Sequence, residues 1–133
     1  MSKLEGSLGF SDYDLFAPAS RVLTDRGWTQ AELQPLFSAM EVDKIEDQGS
    51  VVLIKGRTVD FVLFVLRGAV SHGPKRHQPG DVVGAAPALS GQPVMDDART
   101  EQNGTILGQL SLKRLEQLGS DDSQPTLARK VSS

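Results

Sequence analysis

The spacing of the glycines in the middle of the chain constrains the fold more than any other feature of this sequence. Gly49 and Gly56 are seven residues apart, and Gly68 follows twelve residues after Gly56. A Pro-Gly-Asp turn at residues 79–81 then leads to Gly84. Glycine is needed where the backbone takes a positive φ or where neighbouring strands approach closely at a barrel corner. The spacing therefore predicts short strands separated by tight turns, as in a β-roll or jelly roll.

The segments between these glycines have the composition of strands. Residues 60–66 are the strongest candidate, because the run is almost entirely apolar and Gly68 closes it. Such continuous apolarity indicates a strand that is buried on both faces. Residues 51–54 form a β-branched run, and residues 82–83 and 105–107 are short strand candidates. The core is thus predicted to be mainly β.

A helix is predicted on each side of these strands. The first runs from Thr29 to about Met40 and opens with a Thr-x-x-Glu capping box. Pro35 leaves open whether this helix starts later or kinks. The second runs from Ser111, as N-cap, to Leu118. The fold class predicted is α+β, mainly β: a β-roll or jelly roll with flanking N- and C-terminal helices.

The chain divides into three predicted parts. Residues 1–28 form an N-terminal arm, residues 29–118 the folded domain, and residues 119–133 a polar, disordered tail. Disordered segments are usually poor in aromatic residues, but the arm is not. We therefore expect the arm either to pack on the domain or to contact a partner. Its aromatic interaction candidates are Phe10, Tyr13, Phe16 and Trp28.

Composition excludes several classes of function. The 14 basic and 17 acidic residues give a net charge of −3, which argues against a chain built mainly to grip nucleic acid. With no cysteine there is no disulfide, thiolate metal site or cysteine nucleophile. His72 and His77 lack a third metal ligand, and neither a nucleophile elbow nor a P-loop is present. We predict no enzyme activity, no metal and no cofactor.

Nothing in the sequence predicts membrane insertion. The N-terminus has no apolar core typical of a secretory signal. The longest apolar run, residues 61–66, covers six residues, whereas a bilayer span needs roughly 20. A cytoplasmic location is expected.

Together, the glycine spacings and the Pro-Gly-Asp turn resemble the cyclic-nucleotide-binding domain family over residues 30–118. That family's pattern runs G-x6-G-x11-G and then P-G-D-x-x-G-E, and its helices flank the roll at matching positions. The resemblance implies a phosphate-binding cassette, a short helix and loop that hold the ligand. In the family, backbone amides meet the cyclic phosphate, a Glu accepts from the ribose hydroxyl, and an Arg neutralises the phosphate.

The matching cassette here comprises residues 84–100, and it departs from the family at both ligand side chains. The Glu position holds Ala85. The Arg position holds Val94 if the preceding proline is aligned, or Asp97 if the following Ala-x-Thr is aligned. Neither side chain neutralises a phosphate. Because both polar anchors are absent, tight binding of cyclic AMP in the usual mode is not expected.

Arg99 leaves one route to phosphate binding open. It lies two residues beyond Asp97, so on a strand both would point to the same face. Arg99 would then either contact a phosphate or pair with Asp96 or Asp97 on the surface. The ligand-binding candidates that the resemblance implies are Gly84, Ala85, Ala86, Ala88, Leu89, Arg99 and Thr100.

The hairpin between Gly68 and Pro79 is a second departure. Ten residues separate the two, fewer than the family usually has, which predicts a roll trimmed at one edge. Residues 75–77, Lys-Arg-His, lie at this tip. They are interpreted as a solvated turn, the alternative being a small basic patch for an acidic partner or nucleic acid.

The function predicted is a non-catalytic regulatory or protein-interaction module. Its partner is expected to be another protein, contacted through the aromatic arm and the apolar cassette residues 85–89. The alternative is a small-molecule sensor that binds a cyclic nucleotide, a cyclic dinucleotide or another effector in a repurposed cassette. Whether the chain forms a homodimer is left open.

Overall fold

The computed structural model describes the backbone of residues 8–120 and the side chains of residues 16–117. The side chains of Phe10 and Tyr13 lie outside the described residues, as does the predicted tail from residue 121. The helices are α1 (Leu8–Asp25), α2 (Gln30–Ser38), α3 (Ala85–Ser90) and α4 (Leu112–Ser120). The strands are β1 (Glu41–Ile45), β2 (Val51–Leu53), β3 (Phe61–Arg67), β4 (Val70–His72), β5 (Lys75–His77), β6 (Val82–Val83), β7 (Ala98–Thr100) and β8 (Thr105–Ser111).

The strands form two antiparallel four-stranded sheets. One has the order β1-β8-β3-β6 and the other β2-β7-β4-β5. Helices α1, α2 and α4 flank the first sheet, and α3 lies in the connection between β6 and β7. The predicted α+β roll with flanking helices is confirmed.

Strand β3 separates two apolar layers, which explains its unbroken hydrophobic sequence. Val62, Phe64 and Leu66 belong to the cluster shared with the helices, whereas Leu63 and Val65 belong to the cluster between the sheets. All five are at most 4% exposed. The alternation follows from the two-residue period of a strand, and burial on both faces is confirmed.

The glycine spacings mark positions that only glycine fills without strain. Gly49, Gly56 and Gly68 have φ of 85°, 87° and 89°. At Gly68 a Cβ would also lie 3.0 Å from the Cα of Thr105 and 2.5 Å from its Oγ1. Both the backbone conformation and the close approach of β8 therefore require glycine here.

Helix α2 begins at its capping box. The Thr29 N–H donates to Glu32 Oε1 at 2.8 Å, and the Glu32 N–H donates to Thr29 Oγ1 at 3.2 Å. The helix starts at Gln30 and contains Pro35, so the proline does not delay its start. At the other end of the domain, the Arg114 N–H donates to Ser111 Oγ at 3.2 Å. Both predicted N-terminal caps are confirmed.

Helix α1 was not indicated by the sequence pattern, since the N-terminal residues show no sustained periodicity. Its described inward face carries Ala19 and Leu23, which are 0% and 2% exposed. Phe16 and Val22 complete this face, but Pro18 interrupts the helix and one of the most buried positions is only alanine, which weakens the helical signal in the sequence. The helix lies against β3.

The residues between Gly68 and Pro79 form a complete but short hairpin. Val70 lies opposite His77 and His72 lies opposite Lys75, with Gly73-Pro74 as the turn. A hairpin fits into ten residues because each strand has three residues and the turn has two. Strand β5 is the edge of its sheet.

Candidate functional site

The cassette lies between β6 and β7 and begins with the six-residue helix α3. Glycines with positive φ bound this helix: Gly84 at its N-cap has φ 81°, and Gly91 at its C-cap has φ 73°. A Cβ at Gly84 would lie 2.9 Å from Leu53 Cδ1. The start of α3 is therefore held directly against β2, and a side chain at this position would push the two apart.

The first turn of α3 offers few donors. Ala85, the residue that the resemblance aligns with the family's Glu, presents a methyl group. Pro87 has no N–H, and the Ala88 N–H donates to the Gly84 carbonyl at 3.2 Å. In this turn only the backbone N–H groups of Ala85 and Ala86 lack an acceptor within the helix, so only these two could donate to a ligand. Ala88 is buried against the helix-side core, and Leu89 is 46% exposed.

Val94 lies inside the roll. Its side chain is 1% exposed and packs in the aliphatic cluster between the sheets. Its N–H donates to the Arg57 carbonyl at 2.8 Å, and its carbonyl accepts from the Gly56 N–H at 2.8 Å. These two bonds fix the loop of the cassette to the β2–β3 connection.

Asp97 lies on the outside of the same junction. Its Oδ1 accepts from the Lys55 N–H at 2.8 Å, and its Oδ2 lies 3.3 Å from Arg99 Nη2. The carboxylate thus caps a loop amide and pairs with an arginine.

Arg99 points away from the space between the sheets. Its neighbours on β7, Ala98 and Thr100, are 0% and 2% exposed, whereas the Arg99 side chain is 51% exposed. Besides Asp97, it contacts the Gly49 carbonyl with Nη1 at 3.5 Å. Of the two roles that the sequence left open, the geometry shows the surface pair with Asp97. Asp97 and Arg99 do share a face, as their two-residue spacing predicts.

The space between the sheets is filled with aliphatic side chains. Strand β7 also carries one buried polar residue, Thr100. Its hydroxyl donates to the Asp47 carbonyl at 2.9 Å and accepts from the Ser50 N–H at 3.0 Å. Among the described residues, every buried side-chain nitrogen or oxygen has a hydrogen-bond partner. The cluster comprises Leu53, Leu63, Val65, Val70, Val83, Val94, Ala98 and Leu107.

Solved structures with a similar fold were found, although no family model and no curated protein match the sequence. A cyclic nucleotide-binding domain from Methylobacillus flagellatus is 23% identical, with a TM-score of 0.62, and the match covers 78% of this chain and 62% of that one. The Thermus thermophilus catabolite activator protein is 18% identical, with a TM-score of 0.65, over 80% of this chain and 53% of that one. The regulatory domain of Toxoplasma gondii PKA, crystallised with cAMP, is 22% identical, with a TM-score of 0.62, over 92% of this chain and 49% of that one.

This chain has the fold of a cyclic-nucleotide-binding domain. The resemblance that the glycine spacings indicated is confirmed at the level of the fold. The chain spans less than two thirds of the length of these three structures.

Helix α1 is seated on the turn that precedes the cassette of this cyclic-nucleotide-binding fold. Arg26 Nη2 pairs with Asp81 Oδ1 at 2.8 Å, and Arg26 Nη1 lies 3.4 Å from the Gly80 carbonyl. A Cβ on Gly80 would lie 2.6 Å from Val22 Cγ1. Sequence reasoning missed this contact because its partners are more than 50 residues apart.

The tip of the β4–β5 hairpin carries less unpaired positive charge than its sequence suggests. Arg76 pairs with Glu101. His77 Nδ1 lies 4.0 Å from Asp81 Oδ2, and the His72 and His77 rings are 6.3 Å apart. Burial lowers the pKa of His77 below its ordinary value, an effect that Asp81 opposes and that His72 and Lys75 reinforce. Its surroundings therefore favour the neutral imidazole of His77 over the charged one.

The aromatic candidates of the arm have different surroundings. Trp28 is 7% exposed and packs in the helix-side core, so it is a core residue in this fold and not a surface contact. Phe16 is half-buried and stacks on Phe37, with 4.4 Å between ring centroids. The two rings lie at a groove of about 650 Å³ between α1 and α2, which Leu33 also lines.

The described residues contain no group of three side chains that could ligate a metal. None of the helices described is both long enough and apolar enough to cross a membrane.

Proposed function

We propose that this chain is a non-catalytic regulatory or protein-interaction module that does not bind cyclic AMP in the usual mode of its fold. The observation that carries the proposal is the placement of Val94, Asp97 and Arg99. Val94 is buried among aliphatic side chains, Asp97 caps the Lys55 amide, and Arg99 points outward to Asp97. Under either alignment, the residue aligned with the family's arginine is not a cation, and among the described residues Arg99 points outward.

The energetic consequence is large. A hydrogen bond to a charged group contributes about 1.5–3 kcal/mol, so the loss of both the Glu and the Arg contact costs about 3–6 kcal/mol. That loss corresponds to roughly two to four orders of magnitude in affinity. The carboxylates of Asp96 and Asp97 add repulsion toward an anionic ligand. The remaining backbone amides of Ala85 and Ala86 do not replace a buried guanidinium.

The cysteine and histidine content of the chain supports a non-catalytic role. The chain has no cysteine and two histidines. His77, at the end of β5, faces the turn at Asp81, and its side chain is 17% exposed. Neither histidine contacts a serine or threonine hydroxyl among the contacts described. A nucleophile–base pair requires such a contact. The partner proposed is therefore another protein, which would meet the exposed apolar residues of the cassette.

A second candidate function is a small-molecule sensor. The observation that favours it is the structural likeness to a PKA regulatory domain crystallised with cAMP. In this chain aliphatic side chains fill the interior of the roll, so an effector would have to displace or cover them, which favours an apolar ligand over a charged nucleotide.

Thermal-shift measurements separate the two functions. The full chain is heated with cyclic AMP, cyclic GMP and cyclic dinucleotides, with the Toxoplasma PKA regulatory domain as the positive control for cyclic AMP. The interaction module predicts no saturable rise in Tm for any nucleotide. A saturable rise of several degrees that Arg99→Ala abolishes would show that the cassette binds phosphate, and the module proposal would be wrong.

A further inference from the structure

The cassette and the β2–β3 connection, which are in contact, both expose apolar side chains to solvent. Met95 is 78% exposed, Ile54 is 47% exposed, and Leu89 is 46% exposed. Single exposed hydrophobic residues are ordinary on protein surfaces. These three, however, lie on the cassette and on the β2–β3 connection, which are hydrogen-bonded to each other. They account for three of the five large hydrophobic side chains that are exposed among the described residues.

Backbone hydrogen bonds hold Ile54 and Met95 at one junction. Next to Ile54, the Lys55 N–H donates to Asp97 at 2.8 Å. Next to Met95, the Val94 carbonyl accepts from the Gly56 N–H at 2.8 Å. The residues before them, Leu53 and Val94, are 2% and 1% exposed and point inward. Ile54 and Met95 therefore point outward from the same pair of bonded segments.

Leu89 lies on the helix that enters this loop. The Gln92 N–H donates to the Pro87 carbonyl at 3.1 Å, which turns the chain back at the end of α3. Two basic residues, Lys55 and Arg57, are exposed on the opposite segment. Neither of their side chains has an ion pair or hydrogen bond to another described residue. The cassette rim is defined as Ile54, Lys55, Arg57 and Met95, the exposed residues of the two bonded segments.

We propose that the cassette rim binds a peptide segment of a partner protein in which two or more apolar side chains are flanked by carboxylates. This inference rests on the proposed function and specifies its partner. The apolar residues of the peptide would cover Met95 and Ile54, and its carboxylates would meet Lys55 and Arg57. Methionine suits such a contact because its flexible, polarizable side chain adapts to differently shaped apolar partners.

The acidic residues beside Met95 distinguish a peptide from a membrane surface. Asp96 is exposed, and Asp97 is satisfied by the Lys55 amide and Arg99. An anionic lipid surface would attract Lys55 but would repel Asp96, because its charge is spread evenly over the plane. A peptide places each charge separately, so it can meet the lysine and avoid the aspartate.

The experiment is a selection of random peptides displayed on phage against the immobilised full chain, followed by fluorescence anisotropy with the enriched peptides. We expect apolar residues flanked by Asp or Glu. Met95→Glu should weaken binding at least tenfold, and so should Lys55→Glu, whereas Lys55→Arg should bind like the parent. Val42→Glu is the matched control, because Val42 is 40% exposed but lies on β1 of the other sheet. Circular dichroism establishes that each variant is folded.

Several results would overturn the inference. The contact would lie elsewhere if the enriched peptides were rich in Lys or Arg. The same would follow if they bound the Met95→Glu variant as tightly as the unsubstituted chain. A selection that enriches no peptide would also refute a peptide partner. This holds whether or not the chain binds phosphatidylserine vesicles, which test the membrane alternative. None of these results bears on whether a cyclic nucleotide binds. Conversely, saturable binding of a cyclic nucleotide would refute the proposed function. The peptide selection and the anisotropy measurements would still decide whether the rim binds a peptide.

Discussion

Arg26 and Asp81 join helix α1 to the turn before the cassette through an ion pair of 2.8 Å between Nη2 and Oδ1. The side chains are 52% and 25% exposed, so solvent screens the pair and its own contribution to stability is small. The packing beneath it matters more, since Val22 lies directly against Gly80. The turn, β6 and the cassette follow one another in sequence, so α1 supports the segment from which the cassette starts.

Replacement of Gly80 tests this packing. Gly80→Ala places a methyl group 2.6 Å from Val22 Cγ1 at a φ of 95°. Strain and overpacking together should lower the free energy of unfolding by about 2–5 kcal/mol. Gly27→Ala is the matched control, because Gly27 has φ 97° but nothing within 4 Å of a Cβ. It should lose only about 1–2 kcal/mol, from backbone strain. Equal losses in urea unfolding would show that α1 does not press on the turn.

The lowered pKa of His77 makes stability depend on pH. Burial lowers the pKa of His77 below 6.5, with the positive charges of His72 and Lys75 adding to the effect and Asp81 opposing it. The unfolded chain therefore takes up the proton first as the pH falls. The stabilising contribution is complete above about pH 7.5 and is lost as the pH falls through 6.5 toward the folded pKa.

The measurement is an NMR titration of the two imidazoles together with urea unfolding between about pH 7.5 and 5.5. The pKa of His77 should lie below 6.5, and it should rise in His72→Gln because a neighbouring positive charge is removed. His77→Gln should flatten the fall in stability across this range. A His77 that titrates above 6.5 would mean that Asp81 outweighs burial, contrary to this account.

Arginine at two adjacent positions of the cassette distinguishes its inner and outer faces. Val94→Arg places a cation at one of the two positions that alternative alignments assign to the family's single arginine, but it buries the charge in an aliphatic cluster. It should cost about 3–5 kcal/mol of unfolding free energy and give no binding of cyclic AMP. Met95→Arg, at a side chain that is 78% exposed, should change stability by less than about 0.5 kcal/mol. Similar effects at both positions would show that Val94 is not an interior residue.

Sequence predicted the parts of the fold that depend on local chemistry. Glycine at Gly68 follows from a positive φ and from contact with Thr105, both of which exclude a side chain. Strand β3 was evident because both of its faces are buried, and Thr29 and Ser111 could be assigned as caps because capping is a local hydrogen-bonding pattern.

Features that depend on distant contacts were not predictable in the same way. Strand β7 has three residues, and the face on which Arg99 lies depends on its pairing with β2 and β4. The burial of Trp28 depends on helices α1 and α2 meeting above β3, and α1 itself was not indicated by the sequence pattern. The exposure of Met95 follows from the inward turn of Val94, which the β2–β3 connection imposes.

Calorimetric titration of the full chain with cyclic AMP tests the central claim most directly. With Val94 buried, Asp97 bonded to the Lys55 amide and Arg99 turned outward, we predict no saturable heat at cyclic AMP concentrations up to about 1 mM. A one-to-one isotherm with a Kd in the low micromolar range or below would contradict the account, because it would require a phosphate site that these three residues do not provide.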